Sequence, residues 1–139
     1  MKEPAATEPP PPAEPAAGGS ETILLVEDER AVATLTESLL QRMGYRVLTA
    51  HSAAEAIALA SRHAAGIDLL LTDVVMPGAS GRDLVEKLRG SRPAINVLYM
   101  SGYPSDAVVR HGVEDGEVHF LQKPFTMATL AGKVRAALA

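Results

Sequence analysis

Cysteine is absent from the 139 residues, so neither a disulfide framework nor a thiolate metal site is available, and a reducing compartment is compatible. No apolar run approaches the roughly 18 residues of a membrane span, and no basic-then-apolar signal segment opens the chain. Basic excess is missing too. The formal net charge is -4, without the clustered Lys and Arg that phosphate neutralisation needs, which excludes an ordinary nucleic-acid-binding domain. The four histidines, His51, His63, His111 and His119, are scattered without metal-ligand spacing and read as surface or helix-end residues. These absences together predict a soluble, cytoplasmic protein that contacts neither membrane nor nucleic acid.

What is present divides in two. Residues 3–20, EPAATEPPPPAEPAAGGS, hold no large apolar side chain and cannot bury enough surface to offset ordering entropy. Residues 1–20 therefore read as a disordered Pro/Ala/Glu-rich linker that ends in a Gly18-Gly19-Ser20 hinge. The remainder, 21–139, is the right size for one domain with a core. Short apolar runs at 22–26, 45–50, 68–72, 95–100 and 118–122 read as strands. Between them lie helical patterns. Residues 29–43 carry Val32, Leu35, Leu39 and Met43 at helical spacing, closed by Gly44 as a C-terminal cap. Ser52 with Glu55 and Ser80 with Asp83 form capping boxes for helices running to about Arg62 and Arg89. A fourth helix is expected around 104–111, and a last one on Leu130, Val134 and Leu138. Five β-α repeats predict an α/β fold: a doubly wound, five-stranded parallel sheet of order 2-1-3-4-5, with its site at the carboxyl ends of the strands.

At those ends the first strand supplies Glu27 and Asp28, the third Asp73, the fourth Ser101 and the fifth Lys123. Three acids gathered in one place repel one another unless a hard cation sits among them, and all-oxygen ligation suits Mg2+, with Mn2+ as an alternative. A carboxylate beside such a cation and a lysine can attack a phosphoryl group, because the cations offset charge on the transferring oxygens. Each residue alone has an ordinary explanation, such as a helix-start acid, a turn former or a surface lysine. Their joint occurrence in order at one sheet edge favours a site.

On these residues the segment 21–139 resembles the receiver domain of bacterial two-component response regulators. The stretches MSGYPSDAVVRHGV and FLQKPF further resemble receivers of hybrid sensor histidine kinases. The resemblance implies a (βα)5 flavodoxin-like fold in which Asp73 is the phosphoacceptor and Glu27 and Asp28 hold Mg2+ with Asp73 and the backbone carbonyl of Val75. Ser101 becomes the switch hydroxyl, Lys123 a phosphoryl contact and Phe120 the aromatic switch. Pro124 would follow a cis peptide, while Met76-Pro77 and Gly81 match the loop and helix start after the acceptor. By the same resemblance the domain is not an enzyme in its own right but a self-catalysing phosphoacceptor. Its partner would be a sensor histidine kinase or a histidine phosphotransfer domain. Its output would be the surface of the fourth helix, fifth strand and fifth helix.

Other classes fit less well. A haloacid-dehalogenase-like phosphatase wants a second acid two positions after Asp73, where Val75 stands. A flavodoxin-like cofactor binder needs a phosphate loop where this chain has Glu27-Asp28-Glu29, and a scaffold-only degenerate receiver would lack part of the acid set or the lysine. A DNA-binding regulator would continue into an effector domain beyond Ala139. The expectation is thus a stand-alone receiver or the receiver of a larger kinase. Val75 and Tyr103, two residues beyond Asp73 and Ser101, are further expected to limit the approach of hydrolytic water, whereas Gly102 leaves room for the donor.

Overall fold

Strict alternation of large apolar side chains along the strands builds a two-sided core, and that alternation organises the domain. The computed structural model describes residues 19–63, 65–76, 79–101 and 119–138, with the side chains of Met76 and Ala79 excepted. The expected linker up to residue 18, the fourth helix, Pro77, Gly102, Tyr103 and His111 lie outside the described residues. Five strands form the main sheet: β1 (Thr22–Val26), β2 (Arg46–Ala50), β3 (Leu69–Asp73), β4 (Asn96–Ser101) and β5 (His119–Gln122). Every neighbouring pair is parallel, in the order β2-β1-β3-β4-β5. Helices α1 (Arg30–Arg42), α2 (Ala53–Arg62), α3 (Gly81–Ser91) and α4 (Met127–Leu138) cover its faces. None of the described helices is long and apolar enough to cross a membrane.

One face of the sheet carries Ile23, Leu25, Leu69, Leu71, Leu98, Met100 and Leu121, packed with residues of α1 and α4. The opposite face carries Leu24, Val26, Leu70, Val97 and Tyr99, packed with residues of α2 and α3. Strands this thoroughly buried belong to the middle of a three-layer sandwich. The observed bounds of β3 and β4 are each displaced by one residue toward the C-terminus of the expected runs, because ladder pairing continues through Asp73 opposite Met100.

Local signals act where expected at the helix ends. Ser52 accepts the Glu55 N–H at 3.1 Å and Ser80 accepts the Asp83 N–H at 3.1 Å, satisfying donors that α2 and α3 leave unpaired. Gly44 takes φ +100° after α1 and donates to the Gln41 carbonyl, a left-handed close that favours glycine. The buried stripe of α1 departs from expectation. Ala33, Thr36 and Leu40 face the sheet, while Leu35 is 57% exposed and Val32, Leu39 and Met43 are half-buried. Ala33 and Thr36 share this contact with Leu40, and the expected Val32, Leu35, Leu39 and Met43 stripe lies on its flanks or outside it.

Two long-range ties have no local sequence signal. The Arg92 guanidinium donates to the carbonyls of Ala60 (3.0 Å), His63 (2.9 Å) and Ala65 (3.4 Å), closing the end of α2 from the far end of α3. At the opposite edge from the site, Gly19 N–H donates to the Met43 carbonyl at 3.2 Å, and Arg135 on α4 donates to both Glu21 oxygens and to the Tyr45 hydroxyl. Gly19, expected as part of a free hinge, is therefore held by the domain.

Candidate functional site

Side-chain parity decides which functional groups meet. Asp73 continues the Leu69-Leu71 face, Lys123 follows Leu121 by two residues and Glu27 follows Leu25 by two, so all three project on the α1/α4 side. Their geometry shows it. Lys123 Nζ lies 2.8 Å from Asp73 Oδ1 and 2.9 Å from Glu27 Oε1. Glu27 is 1% exposed and Asp73 5%, whereas Asp28 is exposed at the mouth. Carboxylate oxygens of Glu27, Asp28 and Asp73 lie within 4.8 Å of one another. Glu27 is further fixed by its N–H to the Ala50 carbonyl (3.0 Å) and by Oε2 accepting the Glu29 N–H (3.2 Å).

Electrostatics follow from this crowding. Burial, followed by the neighbouring Glu27 carboxylate, pushes the Asp73 carboxyl up to about 8 despite the opposing pull of Lys123. Lys123 loses solvation through burial, but its hydrogen bonds to Asp73 and Glu27 more than offset that and raise its pKa. One ammonium thus faces three carboxyl groups. The surplus is negative, and a hard divalent cation with oxygen preference fits both the donor set and the charge.

The segment after Asp73 is folded tightly back over the strand end. Val74 N–H donates to the Met100 carbonyl (3.0 Å), Val75–Met76 pairs with Ala79–Ser80 as a small antiparallel ribbon, and Gly81 N–H donates to the Val74 carbonyl (2.7 Å). A Cβ at Gly81 would collide with the Asp73 carbonyl oxygen and press on the Thr72 side chain at 3.3 Å. Glycine is required there by close approach of backbone to backbone. Gly81→Ala is expected to destabilise the domain by about 1–3 kcal/mol and to displace Asp73, as overpacking does; a denaturation midpoint equal to wild type would refute this steric role.

The other sequence-selected residues sit around this centre. Ser101 is buried at the end of β4, and its carbonyl accepts the Lys123 N–H at 2.9 Å, tying the two strand ends together. Its parity follows Val97 and Tyr99, on the α2/α3 side. Phe120 packs there too, with its ring centroid 5.6 Å from that of Tyr99, its register partner across β4 and β5. Val75 is 53% exposed, so its side chain faces solvent on the ribbon. The Lys123–Pro124 peptide bond is cis. His51, read from sequence as a surface or helix-end residue, directly precedes the α2 cap Ser52 and has Nδ1 3.1 Å from the Glu27 carbonyl oxygen. No sequence pattern announces a bond to a backbone atom 24 residues away.

Comparison with known proteins agrees with the architecture. The family model described as "Response regulator receiver domain" matches residues 23–135. The chain is 39% identical over 113 residues to "Sensor kinase CckA" of Brucella abortus (strain 2308), covering 81% of this chain and 12% of that protein. It is 38% identical over 117 residues to "Transcriptional regulatory protein CpxR" of Klebsiella pneumoniae subsp. pneumoniae (strain HS11286), covering 84% and 48% respectively. This chain therefore spans a small part of the kinase and about half of the regulator. Among solved structures, the receiver domain from hybrid histidine kinase CckA superposes with a TM-score of 0.69 at 40% identity, covering 85% of this chain and 99% of that one. A receiver domain protein from Clostridium thermocellum gives a TM-score of 0.75 at 27% identity, covering 85% and 94%. Five parallel strands in this order, an acid cluster at their carboxyl ends and a family match across nearly the whole described domain lead to one assignment: the chain belongs to the response regulator receiver domain family of two-component signalling.

Proposed function

We propose that Asp73 accepts a phosphoryl group from a phosphohistidine of a sensor histidine kinase or a histidine phosphotransfer domain. The observation that carries this reading is the buried Asp73 carboxylate held 2.8 Å from Lys123 beside two further acids. An Asp73 oxygen forms the new O–P bond as the N–P bond of the donor breaks, and the imidazole departs with that electron pair. Lys123 holds the acceptor in place and offsets charge on the transferring oxygens. A divalent cation, Mg2+ or Mn2+, bound by Glu27, Asp28 and Asp73 with the Val75 carbonyl would supply the charge that keeps Asp73 ionised and offsets that on the phosphoryl group.

Ser101 follows Met100, the register partner of Asp73, at the end of the strand paired with β3. Its hydroxyl is the group proposed to turn toward the phosphoryl oxygens, with Phe120 following on the same sheet face. A two-position rearrangement of this kind would bias the surface bounded by β5 and α4. Residues 1–18 are proposed to act as a tether. Phosphotransfer from a histidine-phosphorylated kinase core or phosphotransfer domain tests the proposal. The expected result is loss of label from histidine and gain of one alkali-labile phosphoryl group here, dependent on divalent cation. Failure with histidine donors and with a small-molecule phosphodonor alike would reject it.

A further inference from the structure

We infer that His51 is a positioning residue for the cation-binding acid pair, an inference that rests on the phosphoacceptor reading of the site. The oxygen that His51 contacts is the carbonyl of Glu27, which belongs to the peptide unit joining Glu27 to Asp28. A carbonyl oxygen only accepts, so Nδ1 carries the hydrogen and donates. Holding that oxygen fixes the rotation of the peptide plane, and with it the direction in which exposed Asp28 leaves the backbone.

The support for His51 is itself rigid. Its backbone N–H donates to Glu55 Oε1 at 2.8 Å, and the next residue, Ser52, caps α2 by accepting the Glu55 N–H. Ala50, the residue before it, accepts the Glu27 N–H at 3.0 Å. The turn from β2 into α2 thereby grips Glu27 from both sides, through Ala50 at its N–H and through His51 at its carbonyl. Lys123 and Glu29 N–H hold the Glu27 side chain, whereas the His51 bond holds the peptide that aims Asp28. Outer partners of this kind orient ligands and tune metal affinity without touching the ion.

The test is titration of the protein with Mg2+ alone, followed by calorimetry, beside phosphorylation by a small phosphodonor. His51→Ala, and His51→Leu, which preserves bulk but donates nothing, are expected to bind Mg2+ about three- to tenfold more weakly, the worth of one net hydrogen bond. Their phosphorylation should slow at limiting Mg2+ and return to the wild-type rate at saturating Mg2+. His51→Asn, whose amide donates from nearly the place of Nδ1, should restore the affinity. Unchanged Mg2+ affinity in the Ala and Leu variants, or an equal loss in all three, would overturn the role of His51. Absence of Mg2+ binding by the wild type would instead defeat the metal reading of the site itself.

Discussion

Asp73→Asn is expected to abolish phosphorylation of this domain completely: with a small phosphodonor and Mg2+, wild type gains one phosphoryl mass and the variant gains none. The reason is chemical. Asparagine keeps the shape of the side chain but has no anionic oxygen to form the acyl phosphate, so the nucleophile itself is removed. Chelating the cation should produce the same loss by a different route, since burial and Glu27 favour the protonated carboxyl of Asp73 in the metal-free protein. An acyl phosphate is alkali-labile, and the wild-type label should vanish on brief exposure to high pH. Mass gained by the Asn variant would move the acceptor elsewhere. Label that resists alkali would point to a phosphoester of a hydroxyl residue.

The same substitution is expected to stabilise the metal-free domain. Asp73 titrates near 3.8 when unfolded and about 8 in the folded protein, so between those values the native state binds a proton that the unfolded chain has released. Stability contributed by this group is fully present below the unfolded value and is lost as pH rises through the folded one. Wild type should therefore lose stability relative to Asp73→Asn across that window, by about 1.4 kcal/mol per pH unit at most for one linked proton. The advantage of the variant should then level off above pH 8. A gain of one kcal/mol corresponds to a rise on the order of 4 °C in thermal midpoint for a domain of this size. Mg2+ should raise the wild-type midpoint, because it binds the native site, and should close the gap to the variant. Thermal melts of both proteins from pH 4 to 9, with and without Mg2+, read this directly. A difference independent of pH would show that the crowded carboxylates do not govern stability.

Both expected results come from residues whose chemistry was visible in the sequence before any fold was drawn. Glu27, Asp28, Asp73, Ser101 and Lys123 stand at the ends of apolar runs, and strand ends in a parallel α/β sheet share one edge. The element order was legible for the same local reasons. Short apolar runs and helical spacing, Ser52 and Ser80 as caps and Gly44 as a close act within a few residues of themselves. Contacts with a partner far along the chain were not legible. Arg92 satisfies carbonyls about thirty residues away, and His51 contacts the Glu27 carbonyl 24 residues back.

The sequence by itself determined the alternation of elements and the residue types delivered to the carboxyl edge of the sheet, because both depend on local propensity and on the handedness of β-α-β crossovers. Tertiary structure decided how those groups engage. Packing turned α1 so that Ala33 and Thr36, rather than Leu35, meet the sheet, and it buried Glu27 while leaving Asp28 at the mouth. It also brought His51 onto the peptide between the two acids. Strand parity fixes only the side on which a group emerges; the distances and burial that set charge, affinity and reactivity arise when separate strand ends are packed together and water is excluded from between them.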